Sequence, residues 1–237
     1  MTRASLTCVA LLGAALSVFG CGGSADTVVV QPAPAQPRPA QVQVATTYGC
    51  PSGSVSPALN RTLPRNGGHN VDLLAEAVLI ETNRARCARG LQPLITNASL
   101  QQAASLHSQD MARLNFFSHD SPVPGRERLS TRVSQGGYRF QTVAENIIEA
   151  RYMAYEGGRS YRIVDAGRCQ FEYANGQPIQ PHSYASMARE LVDRWMNSPG
   201  HRANILNGAV REHGFGLAPN RDQALCAGVY GAQVFAR

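Results

Sequence analysis

The first 47 residues of the chain lack any pattern of a folded core. Residues 1–20 carry an apolar run from Leu6 to Phe19, which is shorter than the roughly 20 residues that span a bilayer, and this predicts a secretory signal peptide. Residues 22–47 consist mainly of Ala, Pro, Gln and Val without an amphipathic period, and predict an extended spacer. The core must come from the rest of the chain, and we expect one domain, residues 70–237.

Cys21 marks the expected start of the mature protein. With the preceding Val18-Phe19-Gly20 it resembles the lipobox of bacterial lipoproteins, in which the cysteine is acylated. The resemblance implies export to the cell envelope and attachment to a membrane through an N-terminal lipid. Gly22 favours the outer membrane, with the protein facing the periplasm or the cell surface. The alternative is ordinary cleavage, which leaves Cys21 as a spare thiol.

An even set of cysteines remains once the signal peptide and Cys21 are set aside: Cys50, Cys87, Cys169 and Cys226. In an exported chain such a set predicts two disulfides, for which three pairings are possible. We favour Cys50 with Cys87, which would fasten residues 48–69 to the domain, and Cys169 with Cys226. Residues 21–69 would then be a lipid-anchored tether followed by a segment that the Cys50 disulfide attaches to the domain.

Composition excludes several functions. All 22 basic residues are arginine. Catalysis through a Schiff base or a Ser-Lys pair and nucleotide binding by a P-loop are therefore excluded, because each of them requires a lysine. The net charge of +6 would suit an anionic envelope polymer or lipid, although the arginines are scattered and a merely solvated surface also explains them. We expect no nucleic-acid partner for an exported protein, and a monomer.

Helical and strand patterns are mixed along the domain, which predicts an α+β fold. The elements expected are a helix capped by Asn70 and ending at Gly90, a helix capped by Asn97, a short helix over 126–133, a strand over 143–149, a helix from Ser183 to Trp195, and two final strands joined by the turn NRDQ. Residues 151–182 are rich in tyrosine and contain Asn175-Gly176, a tight-turn signal. They predict an inserted hairpin.

Three polar residues stand out as candidates for a cleft: His119, Glu145 and His201. His201 follows Ser198 and Pro199, which suit the cap and first position of a helix, and the positive helix end should keep its imidazole neutral. The alternative is that these side chains form a buried network that only specifies structure. His107 lies on the apolar face of the second helix; it is a further cleft candidate, although a core histidine explains it better.

The motifs "HSQDMARLNFFSHDSP", "AENI" and "WMNSPGHRANIL…GFGLA" resemble the bacterial branch of the CAP superfamily (cysteine-rich secretory proteins, antigen 5 and pathogenesis-related proteins), also called SCP-like proteins. The resemblance covers residues 70–237. It implies a three-layer α-β-α sandwich with a mainly antiparallel sheet, and a cleft lined by two histidines and two glutamates. His119, Glu145 and His201 match three of these four positions.

The fourth position departs from the full family pattern, because Ser198 stands where a second glutamate follows the tryptophan of the third helix. Complete divalent-metal binding is therefore in doubt. With both imidazoles neutral, His119 and His201 would be the primary zinc ligands, and Glu145 would bind directly or through a water, leaving an open fourth position.

The resemblance favours a binding module over an enzyme. We expect the cleft to bind a lipid, another small apolar or amphiphilic ligand, or an envelope component. A metal-assisted hydrolase of peptides or peptidoglycan is the first alternative, with His119, Glu145 and His201 as its catalytic candidates, although no GxSxG motif occurs. A structural or adhesive envelope domain is the second.

Overall fold

A computed structural model of the chain describes residues 49–54, 56–64, 68–220 and 228–237. The predicted signal peptide, the acylation site Cys21, the spacer and Cys226 lie outside these residues. So does all of the predicted NRDQ turn except Asn220.

Most helices begin where the sequence places their caps, whereas the short helix expected over 126–133 runs over Leu129–Gln135. Asn70 accepts a hydrogen bond from the backbone N–H of Leu73, Asn97 caps the second helix in the same way, and Ser183 forms a capping box with Ser186. The helices are α1 (Val71–Cys87), α2 (Ala98–Leu114), α3 (Leu129–Gln135), α4 (Tyr184–Met196) and α5 (Pro199–Ile205), and a 3-10 turn covers Pro57–Asn60. Among the described residues, no helix has the length and apolar character to cross a membrane.

The strands are β1 (Ile95–Thr96), β2 (Val143–Arg151), β3 (Tyr161–Asp165), β4 (Gln170–Tyr173), β5 (Glu212–Pro219) and β6 (Gly228–Ala236). In the described residues the main sheet has the order β1-β5-β6-β2. The two final strands pair antiparallel, as predicted, and β2 pairs antiparallel with β6. Only the two-residue β1 runs parallel to its neighbour, so the sheet is mainly antiparallel.

Helices cover both faces of this sheet. Alternate residues of β2 illustrate the division: Ile148 and Ala150 join the apolar core against α1 and α4, whereas Ile147 joins the core against α2 and α3. Trp195 of α4 is fully buried in the first core. The predicted α-β-α sandwich is therefore confirmed.

Two glycines in β5 allow α2 to lie directly on the sheet. A Cβ atom on Gly216 would come within 2.3 Å of the Ser105 backbone, and one on Gly214 within 2.2 Å of the Leu100 carbonyl carbon. The hydroxyl of Ser108 donates to the Gly216 carbonyl at 2.9 Å. Glycine at these positions therefore sets the distance between helix and sheet.

The inserted hairpin is present as the two-stranded sheet of β3 and β4, which has its own small core. Its turn differs from the prediction. The chain reverses between β3 and β4 at residues 166–169, where Cys169 has a φ of 53°. The Asn175-Gly176 turn instead follows β4 and folds the next segment back, so that Pro178 bridges to Glu172.

The segment before α1 is held to the domain by covalent and apolar contacts. Cys50 and Cys87 form the expected disulfide, and Leu59 and Leu63 are buried in the core against α1 and α4. Cys169 is also disulfide-bonded, and Cys226, the partner predicted for it, lies outside the described residues.

Candidate functional site

The predicted site residues come from four segments of the chain that meet at β2, an edge strand of the sheet. Glu145 lies on β2, His107 on α2, His119 in the loop after α2, and His201 in the first turn of α5. Oε1 of Glu145 is 3.0 Å from Nδ1 of His119 and 3.8 Å from Nε2 of His107. The carboxylate is therefore the centre of the cluster.

Arg132 of α3, which is not among the predicted site residues, is the main partner of Glu145. Its Nη2 donates to Oε1 at 3.0 Å and to Oε2 at 2.8 Å. The Arg132 side chain is 0% exposed and that of Glu145 is 2% exposed. Because an unpaired charge is strongly disfavoured in such surroundings, each side chain depends on the other for its burial.

Arg132 also holds the loop that carries His119. Its guanidinium donates to the backbone carbonyls of His119, Arg126 and Glu127 at 3.1 to 3.2 Å. The sequence carries one weak signal for this role. Arg132 stands next to Val133, an apolar residue of the same short helix that is fully buried.

His119 connects the buried ion pair with solvent. Its side chain is 55% exposed, while its Nδ1–H donates to Glu145. The hydrogen bond to Glu145 raises the pKa of His119 above its ordinary value. This direction is opposite to the one that would favour a neutral His119, which the zinc prediction requires.

His201 is positioned by two asparagines on neighbouring elements. Asn146 of β2 donates to the His201 carbonyl at 3.2 Å. Asn204 of α5 donates to the Glu145 carbonyl at 3.1 Å and to the Asn146 side chain at 2.9 Å. These bonds fix α5 against β2, and His201 with it.

Burial, and after it the positive charge of His119, lowers the pKa of His201. The direction agrees with the prediction, but its causes are not the helix end on which that prediction relied. Ser198 occupies the N-cap position and Pro199 begins α5, yet the Ser198 side chain makes no capping hydrogen bond.

His107 is a core histidine that touches the rear of the site. It is fully buried, its Nε2–H donates to the Ser118 carbonyl at 2.9 Å, and its ring lies 6.0 Å from that of Phe116. Burial lowers the pKa of His107. A ligand in the cleft would meet His119 and not this ring.

A second buried network supports the site from the opposite face of the sheet. Gln233 of β6 accepts a hydrogen bond from Asn146 at 3.2 Å, and its amide nitrogen lies 2.8 Å from Thr82 Oγ1 and 3.1 Å from His213 Nε2. Burial lowers the pKa of His213 to about 3. This neutral, hydrogen-bonded chain links the core to the backbone of His201.

The donor set does not fit the predicted three-ligand zinc site. Arg132 donates to both carboxylate oxygens of Glu145, so a metal ion at this carboxylate would compete with the guanidinium. In the part of the chain that the structure describes, no three His, Cys, Asp or Glu side chains are grouped to hold a metal ion. Zinc binding by the two histidines alone stays a prediction.

Exposed apolar side chains flank His119 along the chain. Phe117 is 49% exposed and stacks on Tyr230 with ring centroids 6.0 Å apart, and Leu114 at the end of α2 is also exposed. The α2–α3 loop thus presents apolar and polar groups side by side.

The tyrosine-rich insertion neighbours a cavity that lies away from Glu145. That cavity, about 460 Å³, lies at the far end of β2 and is lined by residues that include Arg151, Tyr155, Glu190 and Arg194. The cavity lining contains none of the three candidate cleft residues, so it is distinct from the site around Glu145.

Residues 79–234 match the CAP family, described as the cysteine-rich secretory protein family. The chain belongs to this family. The α2, α3, β2 and α5 segments that carry the site residues all fall within the matched range.

Among known proteins, the chain is similar to the uncharacterized protein YkwD of Bacillus subtilis, with 30% identity over 138 residues that cover 58% of this chain and 40% of the relative. It is also similar to the uncharacterized membrane protein YlbC of B. subtilis, with 29% identity over 140 residues, 59% of this chain and 30% of the relative. The chain thus spans less than half the length of either curated relative.

A solved structure of an extracellular protein with an SCP domain from Bacillus anthracis aligns with a TM-score of 0.48 and 24% identity, covering 78% of this chain and 45% of that one.

Proposed function

We propose that this chain is a lipid-anchored CAP-domain protein of the cell envelope that binds a small anionic amphiphile in the cleft of His119, Glu145 and His201. The observation that carries the proposal is the half-exposed imidazole of His119, held by a fully buried carboxylate–guanidinium pair. A site fixed by buried partners before the ligand arrives loses little conformational freedom on binding.

The polar part of the cleft suits an anionic headgroup. Since Nδ1–H of His119 donates to Glu145, the Nε2 side of the exposed ring remains for a ligand. Protonated, that nitrogen donates a charge-assisted hydrogen bond, and the net charge of +6 favours the approach of anions.

The apolar part of the ligand has a surface nearby. Phe117 lies two residues before His119 and exposes about half of its side chain. Full burial of a phenylalanine side chain contributes about 1.5–3 kcal/mol, so a ligand that covered the exposed half of Phe117 would gain about 0.8–1.5 kcal/mol.

Isothermal titration of the purified protein with dodecyl phosphate, below its critical micelle concentration, tests the proposal. We expect His119→Ala to weaken binding at least tenfold, because a hydrogen bond to a charged group contributes about 1.5–3 kcal/mol. Phe117→Ala should weaken binding at least fivefold. Inorganic phosphate should bind more weakly than dodecyl phosphate.

Ile163→Ala is the matched control, because Ile163 on β3 is 50% exposed, as Phe117 is, but belongs to the insertion. It should leave the affinity unchanged. Equal losses in Phe117→Ala and Ile163→Ala would contradict a specific site. If dodecyl phosphate and envelope polymers all fail to bind or stabilise the protein, a structural or adhesive domain is the better description.

The membrane anchor and the outer-membrane location are supported by the sequence around Cys21 and the spacer after it. Mass spectrometry of the mature protein should find an acylated N-terminal Cys21. The Cys21→Ser variant should be released from the membrane fraction. An unmodified thiol at Cys21 would contradict the anchor.

A hydrolase of peptides or peptidoglycan is the second candidate, because the pKa of His119 is raised and that of His201 is lowered. Two neighbouring groups shifted apart in this way suit an acid and a base. Incubation with peptidoglycan and mass spectrometry of the products would show new termini that His201→Ala abolishes. Unchanged polymer would exclude this activity for that substrate.

A further inference from the structure

We propose that Arg132 is a positioning residue that closes the cleft to divalent cations, by occupying the Glu145 carboxylate that would otherwise be a third metal ligand. The inference concerns the cleft in which the function was proposed. It does not depend on the identity of the organic ligand.

The hydrogen bonds of Glu145 leave little capacity for a metal ion. Oε1 accepts from both His119 Nδ1 and Arg132 Nη2, and Oε2 accepts from Arg132 Nη2. The carboxylate is 2% exposed, so a hydrated ion cannot reach it from bulk solvent without displacing a neighbour. A carboxylate oxygen that binds zinc does so at about 2.0–2.2 Å, and of the roughly four acceptor sites of the carboxylate, His119 and Arg132 already use three.

Charge acts in the same direction as geometry. The guanidinium of Arg132 is a permanent cation that contacts both oxygens of the carboxylate, and it is itself 0% exposed. A divalent ion at Glu145 would face this cation without the screening that water provides at a surface. Arg132 therefore supplies the positive charge that a metal would supply elsewhere.

The anchorage of Arg132 makes its displacement costly. The guanidinium also donates to the carbonyls of His119, Arg126 and Glu127, so moving it would break the loop that carries His119. The consequence for the cleft is that Glu145 acts on His119 as a hydrogen-bond acceptor and orients the ring, whereas direct ligation is blocked.

Zinc titration of the full-length protein by calorimetry at pH 7.5 tests the inference, with the His119→Ala/His201→Ala variant subtracted as background. Arg132→Met, which removes the guanidinium and keeps an unbranched side chain, should tighten zinc binding at least tenfold. Adding Glu145→Gln to Arg132→Met should abolish that gain.

Arg132→Lys is the matched control, since it keeps a cation beside Glu145, and its zinc affinity should stay within threefold of the wild type. If Arg132→Met does not fold, Arg132→Gln, which keeps a hydrogen-bond donor without the charge, takes its place with the same expected gain. A zinc affinity that rises as much in Arg132→Lys as in the uncharged variant would show that the cation is not what blocks the carboxylate, and would overturn the inference. So would an unchanged affinity in folded Arg132→Met. Neither result would alter the binding of dodecyl phosphate to the wild type, so the two proposals can fail separately.

Discussion

Acidification should destabilise the fold through His213, whose imidazole is 1% exposed on β5. The ring packs against Phe235 and hydrogen bonds to Gln233, and burial lowers its pKa to about 3. Between an unfolded pKa of about 6.5 and this value, the unfolded chain binds a proton that the folded protein does not, so the free energy of unfolding falls as pH falls. From pH 7.5 to 4.5 the linkage amounts to about 2.7 kcal/mol, a large share of a typical stability of about 5–15 kcal/mol.

Urea denaturation at pH 7.5, 6.0 and 4.5, with disulfides intact, measures this effect in the wild type and in His213→Gln. Glutamine keeps a hydrogen-bonding side chain without the titration. The destabilisation from His107, whose pKa is also lowered by burial, is present in both proteins and cancels in the difference. The wild type should lose about 2.7 kcal/mol more than the variant over this range. Equal losses at every pH would refute the assignment of a strongly lowered pKa to His213.

Three further outcomes follow from contacts in the structure. Gly216→Ala should destabilise the protein by about 3 kcal/mol or more in thermal denaturation, because the new Cβ would lie 2.3 Å from the Ser105 backbone. Gly157→Ala is the matched control, because nothing lies within 4 Å of a Cβ at that position. Replacing both Cys50 and Cys87 by serine should reduce the free energy of unfolding by about 4 kcal/mol in the chain-entropy estimate for a separation of 37 residues, as measured by urea denaturation. Dodecyl phosphate affinity should be highest when His119 is protonated and should decline as pH rises through its raised pKa, a dependence that is absent in His119→Ala.

Local signals in the sequence were sufficient for most of the fold. Asn70, Asn97 and Ser183 are side chains that accept backbone hydrogen bonds at helix starts, and each does so in the structure. The two C-terminal strands and β2 were visible as short apolar runs, and the antiparallel pairing of the last two follows from their closeness along the chain. Such features depend on nearby residues, which is why single-sequence patterns capture them.

The site was only partly predictable, because its decisive contact joins two short elements. Arg132 and Glu145 are 13 residues apart and meet only after α3 folds over β2. An arginine in a short helix otherwise has the pattern of a surface residue. The Asn175-Gly176 turn failed as a marker for a related reason: the dipeptide specifies a tight turn, but tertiary contacts decide which segments the turn joins.

The position of β2 at the edge of the sheet explains why residues from both helical layers converge on one cleft. Within the described sheet β2 pairs only with β6, so its outer carbonyls need other partners. Asn204 of α5 donates to the Glu145 carbonyl, and the Trp195 indole of α4 donates to the Ile147 carbonyl at 3.2 Å. The side chains of β2 alternate between faces, so Glu145 meets α2 and α3 while its neighbour Asn146 holds α5. The same hydrogen bonds that cover an exposed strand edge therefore hold α5, and the backbone of His201 with it, against the strand that carries Glu145.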